Sequence, residues 1–300
     1  KPGMIQYEYA REAFKNGIAL EQELGANPFK YGLVSGSDAH TGLAAMEENN
    51  FFCKFVSCEP RPERWSEDAL KFGDRSVKGW EVTAAGFTGV WASENTREAL
   101  WDAMKRKEVY SSSGPRMLVR FFGGYDFEPQ DAATRAPAEV GYQKGVPMGG
   151  DLQPAPEGKA PTFLVAALKD PLGANLDRIQ IIKGWVDAEG KTDEKIYDVV
   201  WGDADKRKPG EDEKLPPVGN TVDLADANWT NTIGDPELIT VWKDPDFDPS
   251  QRAFYYARVL EIPTPRWPAY DAKRFDVRMG EEVPLTTQER VFTSPIWYTP

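Results

Sequence analysis

Near the N-terminus, apolar positions recur three and four apart. In "MIQYEYAREAFKNGIALEQELG", Tyr9, Ala10, Ala13, Phe14, Ile18, Leu20 and Leu24 lie near one stripe, charged residues stand between them, and Gly25 and Pro28 follow. That pattern predicts an amphipathic helix with a glycine stop. The apolar run Tyr31 to Val34 in "KYGLVSGSD" then predicts a short buried strand leading into a turn of small residues. Helix, strand and polar cluster, in that order, are how α/β barrels present catalytic residues at strand ends. Residues 41–92 ("EENNFFCKF", "EPRPERWSED") read mostly as loops, with one strand candidate near "TGVWA". The helical period returns in "SENTREALWDAMKRKEVY", where Asn95 can cap, Glu98 stands three later, and Ala99, Leu100, Ala103 and Met104 form an apolar face ending near Lys107.

From about residue 115 the period changes to two. "TFLVAAL", "RIQIIKGWV", "KIYDVVWG", "AFYYARVLEI" and "SPIWY" are short β-branched or aromatic runs divided by Pro, Gly, Asp and Asn clusters. They predict a β-rich, sandwich-like region. One alternating face of "RIQIIKGWV" runs through Ile179, Ile181 and Lys183, which sets a lysine among apolar neighbours. Residues 203–217 and 244–250 read as solvated loops. "DPDFDPS" lacks the glycine and the closing glutamate of an EF-hand loop. The expected organisation is therefore α/β over residues 1–114 and β over 115–300.

Composition narrows the functional classes. Lys+Arg number 36 against 48 Asp+Glu, a net charge of −12, and no basic cluster is interleaved with aromatics, so nucleic acid is not an expected partner. No apolar run is long enough to span a bilayer, and "KPGMIQYEYAREAF" has neither the basic start nor the apolar core of a signal peptide. A start on Lys1 leads us to expect that the chain begins inside a longer gene product. Cys53 and Cys58 can be two free thiols or a local disulfide, whereas a zinc pair would need partners that only His40 can offer.

His40 is the only histidine in the chain, and it sits in "SGSDAH" two residues after Asp38. On extended backbone the two side chains would project from one face. A carboxylate and an imidazole suit Zn, Mn or Fe, and such an ion with open positions polarises an ester or phosphoryl oxygen and acidifies bound water. Asp-x-His also occurs by chance, but Ser35, Gly36, Ser37, Ala39 and Gly42 around it permit a tight turn and close approach of a ligand. Ser111 to Ser113 have no second histidine to act as base, and neither a P-loop nor a G-x-G-x-x-G run is present.

Longer motifs carry a resemblance. "NPFKYGLVSGSDAHTGLA", "EENNFFCKF", "REALWDAMKRKEVYSSSGPRMLVRFFGG", "AFYYARVLEIPTPRWPAYDA" and "VFTSPIWYTP" together closely resemble the C-terminal half of domain-of-unknown-function family 3604, from about residue 3 to the end. That family looks related to the PHP (polymerase and histidinol phosphatase) metal-dependent hydrolases. The resemblance implies the last elements of a PHP-type distorted α/β barrel followed by the β-rich region. Asp38 and His40 match the Asp-x-His motif near the end of such a barrel, so both are implied metal ligands. The remaining ligands would come from an N-terminal fragment of the same protein that completes the barrel, and this segment alone would be inactive. The serines of "EVYSSSGPR" depart from the threonine or alanine usual in that turn.

The implied activity is hydrolysis of a phosphoester, or a related ester or amide, of a small molecule. Thr41 and Arg116 are candidate substrate contacts, and Glu47 and Glu48 are candidate lid or supporting residues, although each also reads as an ordinary surface position. The alternative is a β-sandwich binding or scaffold module for carbohydrate or peptide, with Trp185, Trp201, Trp242, Trp267 and Trp297 as candidate platforms. Relatives of this kind often look exported in bacteria, which implies a periplasmic or secreted protein, with the cytoplasm as the alternative.

Overall fold

The N-terminal stripe forms helix α1 (Ala10–Leu24), but only its centre is buried: Phe14, Gly17 and Ile18 face inward while Tyr9 and Leu24 are exposed. Gly25, at φ 71°, closes it by donating its N–H to the Glu21 carbonyl. The computed structural model describes residues 2–43, 47–84, 86–211 and 214–300. After α1 come the hairpin β1 (Asp68–Phe72) and β2 (Arg75–Lys78), strand β3 (Phe87–Val90), helix α2 (Arg97–Lys105) and strand β4 (Val109–Ser112). Then follow β5 (Leu118–Gly124), α3 (Pro137–Lys144), β6 (Gly145–Pro147), β7 (Thr162–Leu168), β8 (Leu176–Val186) and β9 (Thr192–Trp201). The remainder is β10 (Glu237–Lys243), β11 (Arg252–Glu261), β12 (Thr264–Pro265), α4 (Trp267–Phe275), β13 (Thr286–Thr287), β14 (Arg290–Thr293) and β15 (Ile296–Tyr298).

Two sheets face one another. The smaller has the order β10-β7-β5-β6, the larger runs β3-β4-β14-β11-β8-β9 with β15 also paired to β11, and every pairing between these strands is antiparallel. Val119 and Phe121 of β5 and Phe163 and Val165 of β7 meet Ile179 and Ile181 of β8 and Tyr255 and Val259 of β11 in the main core. Helix α1 covers the outer face of the larger sheet, with Phe14 and Ile18 against Ile182, Val186, Phe254 and Tyr256. Phe122 and Leu164 on the outer face of the smaller sheet pack with Phe127 and the rim of α3. Strands buried on both faces need no polar alternation, which is why "TFLVAAL" and "AFYYARVL" read as nearly continuous apolar runs. The chain is thus a mixed helix and strand protein, rich in antiparallel sheet. Strands β3 and β4 belong to the same sheet as β14, and the passage from β4 to β5, residues 113–117, carries the chain from one sheet to the other.

Lys183 does point into the core, and its charge is matched there. Its ammonium lies 2.7 Å from Asp244 Oδ2 and donates to the Asp246 carbonyl at 2.7 Å, while the Tyr255 hydroxyl donates to the same Asp244 oxygen. A buried lysine is tolerated only with such a partner. Among the tryptophans singled out by type, Trp267 and Trp297 are buried, and Trp185, Trp201 and Trp242 are half-buried against the core or its rim.

Two local expectations are corrected. Residues 31–34 form no ladder; Leu33 N–H donates to Ser294 Oγ and Ser35 N–H to Thr88 Oγ1, both at 3.0 Å, so side-chain hydroxyls replace backbone pairing. Gly32 permits the close approach, since a Cβ there would stand 2.7 Å from Ser294 Oγ. Helix α2 is capped by Thr96 rather than Asn95: its hydroxyl accepts from Ala99 N–H, and Ala99 and Ala103 are buried while Met104 is exposed.

Beside the sandwich lies a smaller cluster of Phe51, Cys53, Cys58, Ala69, Val82 and Trp267. Cys53 and Cys58 form a disulfide, and Arg64 pairs with Asp271 of α4 inside the cluster.

Candidate functional site

The turn after residue 34 brings the two expected ligands together by a different backbone route. Asp38 is not extended but left-handed, with φ 49°, and its Oδ1 still comes within 3.2 Å of His40 Nε2. A left-handed aspartate is tolerated because its short polar side chain forms local hydrogen bonds. Both side chains are exposed, 62% for Asp38 and 56% for His40.

Segment 53–58 holds this pair. His40 N–H donates to the Lys54 carbonyl at 2.8 Å, Lys54 Nζ donates to Asp38 Oδ2 at 2.9 Å, and the Phe55 ring lies 4.6 Å from the imidazole. The Lys54 ammonium, with His40 second, holds the Asp38 carboxyl below its usual range. The disulfide closes the loop that carries Lys54 and Phe55. By loop-closure entropy a link across so few residues contributes about 2 kcal/mol. Replacing both Cys53 and Cys58 by serine is therefore expected to lower the free energy of unfolding by that amount and to shift the His40 ring resonances in NMR spectra. Unchanged imidazole signals would mean that the loop keeps its shape without the link.

Asp38 and His40 fit a divalent ion as part of a ligand set: an imidazole nitrogen and a carboxylate oxygen converge on solvent from one turn. They do not complete one. Among the described residues no group of three His, Cys, Asp or Glu side chains is arranged to hold a metal, and the Lys54 ammonium already neutralises Asp38.

Lys54 links this turn to a cleft of about 410 Å3 whose lining includes Ser35, the serines 111–113, Arg266 and Arg290. The serines serve the walls: Ser113 Oγ donates to the Glu289 carboxylate, Ser112 Oγ to the Pro115 carbonyl, and Ser35 Oγ to the Ser112 carbonyl. At the inner end Glu48 and Glu289 lie near Arg266. Glu48 is half-buried as a residue, but its carboxylate accepts from Trp267 N–H, and burial followed by the Glu289 charge pushes its pKa up to about 7. Burial raises Glu289 as well, and lowers Arg266. Arg266 Nη2 donates to the Val82 carbonyl, while its buried Nη1 has no partner among the described residues.

Of the other expected residues, Thr41 is a turn residue whose hydroxyl accepts from Leu43 N–H. Arg116, Glu47 and Glu48 come together elsewhere, around a second cavity of about 230 Å3 that shares Glu48 and Glu289 with the cleft. Sequence reading missed Lys54, Phe55, Glu261, Arg266 and Glu289. A charged residue within or just after an apolar run, such as Glu261 in "AFYYARVLEI" or Arg266 in "TPRWPAY", is the signal that could have found two of them.

The family model described as protein of unknown function (DUF3604) matches residues 1–300. No curated protein and no solved structure matches the chain.

Proposed function

We propose that this chain, which belongs to the DUF3604 family, supplies part of the active site of a metal-dependent hydrolase related to the PHP enzymes. The observation that carries the reading is the convergence of the only imidazole on the Asp38 carboxylate, 3.2 Å apart on an exposed turn beside the 410 Å3 cleft. A divalent Zn, Mn or Fe ion, when bound, would polarise an ester or phosphoryl oxygen and acidify water. Asp38 and His40 would be its ligands from this chain. Two donors leave coordination positions for ligands from a companion segment of the same protein, the part that would complete a barrel.

The cleft favours an anionic small-molecule ester. Lys54, Arg266 and Arg290 offer positive charge along its wall, beside the Glu48 and Glu289 carboxylates. The Cys53–Cys58 disulfide supports an oxidising location, periplasmic or secreted, for the protein.

The test is a calorimetric titration of Zn and Mn into the protein, with and without its upstream segment co-expressed. Binding is expected to be weak for the chain alone and tighter with the segment, and Asp38→Ala or His40→Ala should each weaken it at least about tenfold. Equal binding by wild type and both variants would overturn the reading, as would no binding with the segment present.

A further inference from the structure

We propose that the 230 Å3 cavity beside α4 is a binding site for a small organic cation, an alkylammonium carried on an apolar body. The site is independent of the metal-dependent reading and goes beyond it.

Glu261 is the starting point. It ends β11, is 1% exposed, and lines this cavity. Among the described residues no hydrogen bond reaches its carboxylate, and Oε1 is fully enclosed without a partner. A buried carboxylate normally has a cation or several N–H donors, because leaving it alone costs free energy comparable to losing its hydration. The cations nearby are committed elsewhere or absent from it. Lys169 Nζ donates to the carbonyls of Asp170 and Gly173, both at 2.9 Å. Arg116 lines the cavity, and among the described residues its only hydrogen bond is from its backbone N–H to Asp170 Oδ2.

Among the described residues four further carboxylates line the same space, Glu47, Glu48, Asp170 and Glu289. Burial raises Glu261, Glu48 and Glu289, and the Glu289 charge adds to the rise at Glu261 and Glu48 while Arg290 and Arg266 oppose it at Glu289, so the Glu261 end of the cavity disfavours added negative charge. The rest of the wall is suited to an apolar body: Trp229 and Tyr270 contribute half-buried rings, and Leu172 stands exposed. Aromatic faces attract an ammonium as well as its alkyl neighbours. An acidic end and an aromatic side, in one cavity of small-molecule size, define the ligand class.

The probe is 2-phenylethylamine, compared with 2-phenylethanol and 3-phenylpropionate, which keep the ring and change the charge. Binding is followed by ligand-observed NMR and calorimetry in the presence of a chelator, so that the outcome does not depend on any metal. The amine is expected to bind at least about tenfold more tightly than the alcohol, and the acid not measurably. Glu261→Gln should bring amine and alcohol within about twofold of each other, whereas Trp229→Leu should weaken both together. Equal binding of amine and alcohol by the wild type would overturn the proposal, and this comparison needs no variant to fold. A charge preference that survives Glu261→Gln would overturn it as well. Since neither arm involves Asp38 or His40, loss of this proposal leaves the hydrolase reading standing, and the reverse.

Discussion

Arg64→Met is expected to destabilise the protein by about 3–5 kcal/mol, the cost of leaving the buried Asp271 carboxylate with only the more distant Arg274 guanidinium, 3.6 Å away. Arg64 and Asp271 are 2% and 3% exposed, and the guanidinium donates to Asp271 through both Nε and Nη2. Its third edge donates to the Phe51 carbonyl at 2.8 Å, and its face lies 4.5 Å from the Trp267 ring. One side chain therefore ties together the chain around Phe51, its own loop and helix α4. The substitution keeps much of the volume but strips the charge from one side only, so Asp271 becomes the source of the cost. Pairing it with Asp271→Leu should recover most of the loss, because a well-packed apolar pair often replaces a buried ion pair without penalty. Urea denaturation of the wild type, the two single variants and the double variant gives the coupling directly. A single-variant cost below about 1 kcal/mol would mean that water reaches the pair. Since Phe51 leads into the disulfide loop that holds Asp38 and His40, the same variant should also broaden the His40 resonances.

Stability is expected to fall as pH rises from 4.5 towards about 7, the interval between the ordinary and the buried pKa of Glu48. In that window the folded protein retains a proton that the unfolded chain has released, so the unfolded state binds fewer protons and stability declines with pH. For Glu48 the loss is on the order of 3 kcal/mol across the window, at about 1.4 kcal/mol per tenfold change in proton affinity. Glu289 and Glu261 are raised too and act in the same direction. The opposite sign belongs to Asp38, Asp68, Asp131, Asp203, Asp246 and Asp248, whose carboxyls are held low. Their stabilisation is present above the usual aspartate value of 3.8 and is lost as pH falls through their folded values. Asp38 and Asp246 are exposed and the others lie half-buried at the surface, where solvent screens their ion pairs, so their share is small. The thermal midpoint should therefore peak on the acid side of neutrality. Relief of the net charge of −12 on acidification works in the same sense, so the discriminating measurement is the profile of Glu48→Gln beside that of the wild type. The variant should lose much of the decline between pH 4.5 and about 7 and be the more stable protein above neutrality. Identical profiles would place the Glu48 carboxyl in water.

The features legible in the amino-acid order share one property: each is decided within a few residues. The spacing of Phe14 and Ile18 marks the buried centre of α1, and Gly25 marks its end, since a stripe and a left-handed stop are local geometry. The β-rich character after residue 115 follows from runs that the strands later occupy, and the juxtaposition of Asp38 and His40 follows from a separation of two. Errors also arose locally: a side-chain hydroxyl competed with the backbone at Leu33, and Thr96 took the cap from Asn95.

Other properties depend on which distant segments become neighbours. Alternation turns Lys183 inward, but only the packing of the loop after β10 supplies the Asp244 carboxylate and the Asp246 carbonyl that accept it, with Tyr255 of β11 donating to the same carboxylate. The half-site is written in "SDAH", yet its environment, Lys54 and Phe55 on a disulfide loop, is assembled by folding. Of the carboxylates around the second cavity, Glu48 comes from a short 3-10 turn, Glu261 from the end of β11 and Glu289 from the segment before β14. An acid's proton affinity is set by the water it loses and the charges it gains, and a linear order records neither. Local period and turn chemistry thus determine the elements and the two donors, while the burial that gives Glu48, Glu261 and Glu289 their chemistry exists only once remote elements have packed.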